Sequence, residues 1–199
     1  MFDIISEELL TEKNIEEILL SLGYTDIYVY KKIKKKEDTN FDLPKLTNIN
    51  LKKAFILEDT NLIKSIKEND AIILFEGGDI KTNTNAISTK GAIDLLNPIG
   101  SELCFDEGLA EIAKQNKKTI YFNINEIRTN QYRAIKQMAF IISLLKSKNI
   151  EMRFVTLSKK SKDLIDDEIL NNFLKNFNLE KETINKFLNS REIKWKKQN

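Results

Sequence analysis

"AIILFEGGDIKTNTNAISTKGAIDLLNP" occupies residues 71–98, and the fold turns on how its two apolar pieces are read. Ala71–Phe75 and Ile93–Leu96 are short, apolar and rich in isoleucine, as strands covered on both faces are. Two adjacent glycines leave the first of them, Lys81 follows, and the second ends in Asn97-Pro98. The segment "GGDIKTN" has neither the G-x-G-x-x-G spacing of dinucleotide folds nor the G-x-x-x-x-G-K-[ST] spacing of a P-loop. Gly77 and Gly78 are therefore expected to serve a sharp turn through positive φ, with Lys81 as a loop cation within reach of a phosphate.

Outward from this stretch the same kind of segment recurs. Strands are expected at Phe2–Ile5, Asp26–Tyr30, Lys53–Leu57, Thr119–Ile124 and Glu151–Leu157. Between them lie helical patterns. Thr11 to Gly23 has Thr11 as N-cap and Ile15, Ile18, Leu19 and Leu22 on one face. Asp106 and Glu107 open a second helix, where the dipole favours acids. Asn130 to Asn149 carries Ile135, Met138, Ala139, Ile142 and Leu145 on one stripe, and Leu170–Phe177 and Thr183–Leu188 follow. Strand–helix alternation of this kind implies a parallel α/β sheet, open or closed into a barrel. No repeat or low-complexity linker divides the chain, so residues 1–199 read as one domain, with Lys31–Asn50 as a mobile basic loop and 190–199 as a basic tail.

The chain has no histidine. This excludes Ser-His-Asp and Cys-His nucleophiles, zinc hydrolase sites with His ligands and two-His-one-carboxylate iron sites. Cys104 is the single cysteine and forms neither a disulfide nor a thiolate cluster within the chain. Carboxylate-only magnesium chemistry stays open, with Asp3, Glu58, Glu76, Asp79 and Asp94 at or near strand ends as candidates. The start reads as no secretory signal. The longest apolar run, Met138 to Leu145, is far short of the roughly 20 residues of a membrane span. The expectation is a soluble, cytoplasmic protein with no membrane partner.

Charge is nearly balanced, with 32 Lys+Arg against 30 Asp+Glu, so clustering matters more than the total. "KKIKKK" (31–36) and "SKKSK" (158–162) each leave a strand, Arg128 and Arg133 follow another, and "REIKWKK" (191–197) interleaves Trp195. In a parallel fold all strand C-termini open on one face. The first three groups would converge there into a surface for RNA.

Four stretches carry a family resemblance. "LGYTDIYVY" resembles the early strand of ribonuclease P protein component 3, the archaeal homologue of the eukaryotic thirty-kilodalton subunit. "GGDIKTN", "AIDLLNP" and "GLAEIAKQNKKTIYFNINEI" resemble that family's central block, and the likeness is continuous from about Leu22 to Arg133 and collinear to Trp195. The departures are Thr84 after Asn83 where relatives often have Arg, Asn97-Pro98 for His-Pro, "LSKKSK" for a Ser-Gly-Ala turn, and Ile165-Asp166-Asp167 for Ser-Pro-Arg.

The resemblance implies a TIM-barrel-like (β/α) barrel related to the polymerase-and-histidinol-phosphatase fold. It implies a non-catalytic subunit of the ribonucleoprotein that removes 5′ leaders from precursor tRNA, an endonuclease whose catalyst is its RNA. Partners would be that RNA, a small ferredoxin-like subunit and other ribonuclease P proteins. No cofactor or metal is expected on this chain, Mg²⁺ belonging to the RNA catalyst. RNA contacts are expected from Lys81, Arg128, Arg133, Lys159, Lys160 and Lys162, with Asn83 shaping its loop. The alternative is a metal-dependent phosphoesterase on the same barrel, using Asp3, Glu76 and Asp79.

Overall fold

A computed structural model describes residues 2–66, 70–89, 91, 93–100, 102, 104–129 and 131–177, excluding the side chains of 127–129, 131 and 132. Thr183–Leu188 and the basic tail with Trp195 lie outside the described residues.

Each expected strand is present. They are β1 (Phe2–Ser6), β2 (Asp26–Ile33), β3 (Asn50–Leu57), β4 (Ile72–Glu76), β5 (Ile93–Leu96), β6 (Ile120–Asn123) and β7 (Met152–Val155). They pair in parallel and in chain order. The two sheet edges meet, because Ser6 N–H donates to Ser158 O (2.9 Å) and Thr156 N–H donates to Asp3 Oδ1 (2.8 Å). The result is a nearly closed barrel, which strand spacing alone leaves undecided. The helices are α1 (Ile15–Ser21), α2 (Ile80–Ser88), α3 (Glu107–Gln115), α4 (Ile124–Thr129), α5 (Gln131–Lys148) and α6 (Asp167–Lys175).

Alternation along the strands explains why both faces are apolar. Ile4, Tyr28, Tyr30, Ala54, Ile56, Ile72, Leu74, Leu96, Tyr121 and Val155 fill the barrel. Their neighbours Val29, Phe55, Leu57, Phe75, Leu95, Phe122 and Phe154 face outward against α2, α3 and α5. Burial of this kind contributes about 25 cal/mol per Å² of apolar surface, as an upper estimate.

The sequence expectations need five corrections. Thr11 closes a 3₁₀ turn over Glu7–Thr11, and α1 starts later, with Asn14 in the left-handed region as its N-cap. Gly77 and Gly78 do not have positive φ. Gly77 is needed because a Cβ there would sit 2.8 Å from Leu96 O and 2.9 Å from Asn97 O. The stretch after the glycines is a helix, so Lys81 and Asn83 lie on α2. Ile124 belongs to α4 and not to β6. Finally, Lys31–Asn50 is not wholly loop: Lys31–Ile33 complete β2, Lys36–Thr39 form a 3₁₀ turn and Asn50 opens β3.

Candidate nucleic-acid interface

The parallel strands send every following loop to one end of the barrel, and the expected contact residues lie there. Asp79 caps α2 by accepting from Thr82 N–H (2.8 Å), which leaves exposed Lys81 in the first turn after β4. Arg133 is exposed near the start of α5, beyond β6, and the side chain of Arg128 lies outside the described residues. Lys159, Lys160 and Lys162 are exposed after β7. These positions form an arc from β4 through β6 to β7.

Asn83 behaves differently from the lysines. It is fully buried; its Oδ1 accepts from Gly78 N–H (3.0 Å), and its Nδ2 donates to Cys104 O (2.7 Å). The side chain holds the glycine turn against the loop before α3 and offers no group to a ligand.

The rim is not uniformly basic. Lys32 pairs with Glu76 (2.6 Å), Lys34 with Glu58 (3.6 Å) and Lys159 with Glu8 (3.8 Å). Exposed pairs of this kind contribute at most about 1 kcal/mol each, yet they engage three of the eight lysines in "KKIKKK" and "SKKSK". Lys35, Lys36, Lys81, Lys160 and Lys162 pair with no carboxylate among the described residues.

The carboxylates proposed for magnesium chemistry are engaged in structure and do not converge. Asp3 is buried at the barrel seam, where it accepts from Thr156 N–H, Thr156 Oγ1 (2.6 Å), Ile4 N–H (2.7 Å) and Tyr24 OH (3.3 Å). Burial outweighs those donors and raises its pKa to about 6. Asp79 is a helix cap, held below the usual range by its bonds to Thr82. Asp94 Oδ1 accepts from Thr119 N–H (2.8 Å). Among the described residues no group of three or more Asp, Glu, Cys or His is placed to hold a metal ion.

Inside the same rim lies a polar group whose members, Glu76 and Asn97 among them, the sequence does not bring together. Lys32 points into the barrel mouth from β2, gripping both oxygens of Glu76 on β4. Asn97 follows β5 with φ of 50°, a left-handed conformation that Asn tolerates better than most residues. Its Nδ2 donates to Glu126 Oε2 on α4 (2.6 Å). Its Oδ1 is buried with no donor, a deficit of about 1–3 kcal/mol. Partial burial first, and the nearby Glu76 carboxylate second, hold Glu126 above the usual range, with Lys32 opposing. The visible sequence signal was Asn97-Pro98 itself; Glu126 had none.

No helix among the described residues is long and apolar enough to cross a membrane. No family model matches the chain, and no curated protein matches it. Among solved structures, it is similar to a chain in the cryo-EM structure of archaeal ribonuclease P with mature tRNA. The TM-score is 0.76 at 17% identity, over 94% of this chain and 87% of that chain. At that identity the likeness is one of fold: this chain has the same barrel.

Proposed function

We propose that this protein is a non-catalytic subunit of ribonuclease P, binding and supporting the catalytic RNA together with a small ferredoxin-like protein partner in the cytoplasm. The observation that carries this reading is the fold likeness along nearly the whole chain to a chain of an archaeal ribonuclease P complex. The resemblance of the central block, collinear with the strands, supports it from the sequence side. Lys81, Arg133, Lys160 and Lys162 are exposed at one end of the barrel, as phosphate contacts need to be; Lys159 would first leave Glu8, and Arg128 completes the set. Contacts of this type position RNA without reading its sequence.

The phosphoesterase alternative loses its residues, since Asp3, Glu76 and Asp79 act as seam, ion-pair partner and helix cap. The test is to purify a tagged copy from its own cells at moderate salt and sequence the RNA that accompanies it. The expected result is one dominant structured RNA in a fraction that trims precursor tRNA leaders. Absence of any enriched RNA in a fraction that retains its protein partners overturns the reading.

A further inference from the structure

We propose that Asn125 is the positioning residue of the lysine loop after β7: its amide fixes residues 156–163 so that the Lys160 and Lys162 ammoniums are presented to the phosphates of an RNA backbone. The ligand rests on the RNA reading above, the device on the geometry of the loop.

The loop runs from the end of β7 towards α6 and carries the three lysines of "SKKSK". Asn125 sits on another element, in the first turn of α4 after β6, where its own N–H donates to Asn123 Oδ1 (3.1 Å). From there one amide nitrogen reaches both ends of the loop. Nδ2 donates to Thr156 O (2.8 Å) and to Asp163 O (3.1 Å), and it lies 3.2 Å from Ser158 Oγ. The backbone between these points has an unfavourable shape: Leu157 has φ of 48°, a left-handed conformation that a bulky side chain rarely adopts. Such a conformation persists only where its surroundings over-determine it, and the residues on either side of Leu157 are two of those that Asn125 holds. The lysines themselves divide. Lys159 pairs with Glu8 (3.8 Å), whereas Lys160 and Lys162 are exposed and pair with no carboxylate among the described residues. Beneath those two, Asp163 N–H donates to Lys160 O (3.0 Å) and Leu164 N–H to Ser161 O (3.1 Å). Ser161 N–H in turn donates to the Glu12 carboxylate (3.2 and 3.3 Å). The backbone under both ammoniums is thus fixed while the charges face solvent. A loop ordered before it binds gives up little conformational freedom when phosphate contacts form, and affinity rises accordingly.

The experiment takes two readings on the purified full chain and on its Asn125→Ala and Asn125→Asp variants; the aspartate keeps the shape and removes the N–H donors. The first is limited trypsin digestion without RNA, with the cut sites identified by mass spectrometry. Both variants are expected to be cut several-fold faster after Lys159, Lys160 and Lys162, with cleavage elsewhere unchanged. The second is filter binding to a double-stranded RNA hairpin at moderate salt. Both variants are expected to bind several-fold more weakly. Asn125→Ala is expected to have no further effect in a chain that already carries Lys160→Ala and Lys162→Ala, because it acts through those lysines. A merely structural role would weaken binding equally in both backgrounds. Unchanged cleavage in the loop, or cleavage that rises at lysines throughout the chain, overturns the proposal directly, and so does an equal loss in the two backgrounds. Faster loop cleavage in the variants of a chain whose unaltered form binds no RNA overturns it through the RNA reading alone.

Discussion

Asn83 shows how one buried amide positions a whole loop. Truncating it to Ala strands Gly78 N–H and Cys104 O, two backbone groups that it bonds at 3.0 and 2.7 Å. Each unsatisfied buried group costs about 1–3 kcal/mol, so Asn83→Ala is expected to destabilise by about 2–4 kcal/mol in urea unfolding. A loss within experimental error would mean that water replaces the amide. Lys118 does similar work with a charge: its ammonium, buried to 4% exposure, donates to Thr89 O, Gly91 O and Ile93 O. It ties the entry of β5 to the entry of β6. Neither role follows from residue type, because an Asn after a glycine turn and a Lys in "KK" read as surface residues until their neighbours are known.

At the scale of elements, α5 gives the clearest lesson. Its helical period was evident, but the expected stripe was rotated: Ile135 is 41% exposed and Ala139 is exposed, whereas Ala134 and Ile141 join Met138, Ile142 and Leu145 in the core. An apolar face wider than the helix can bury leaves its orientation to what packs against it. Here α3 decides, through Lys148 gripping Glu107 and Glu111, while Gln137 bonds Gly100 and Glu102. Met138→Ala should therefore cost about 2–5 kcal/mol, and Ile135→Ser should stay within about 0.5 kcal/mol. Chemical denaturation of the two variants distinguishes the stripes, and equal losses would restore the expected one. α2 was missed because "IKTNTNAIS" is poor in strong helix formers. The Asp79 cap and the burial of Ala86 and Ile87 decide its state.

For the whole molecule, one buried carboxyl helps close the barrel, beside the backbone bond from Ser6 to Ser158. Asp3 joins β1 to β7 through Thr156, and its pKa rises from 3.8 to about 6 because burial disfavours the charged form. The folded protein therefore holds this proton more tightly than the unfolded chain. Its stabilising contribution is complete below pH ~4 and is lost as pH rises through ~6, a change of order 3 kcal/mol. The stability of the unaltered protein minus that of Asp3→Asn should fall across that window. A difference that is flat with pH would mean the carboxyl is not protonated in the fold. On the RNA side, each phosphate contact removed from the rim should reduce the log K against log salt slope by about 0.9, or about 0.7 for single strands. Lys160→Ala with Lys162→Ala should thus flatten it measurably in a filter-binding titration. An unchanged slope would remove both from the contact surface.

The sequence by itself determined the seven strands, their parallel character and most helix positions, but not the order in which the strands pair. Apolar β-branched runs buried on both faces and 3.6-residue periodicity are local properties that hold whatever the neighbours do. It also determined, through the missing histidines, which catalytic devices the chain lacks. Tertiary structure alone decided that the sheet closes, since closure rests on Asp3 meeting Thr156 and Ser6 meeting Ser158, partners far apart in the chain. It alone decided which strand-end charges neutralise one another and that Lys32, Glu76, Asn97 and Glu126 share one mouth. Those partners come from different strands, and no local pattern encodes a distance between strand ends.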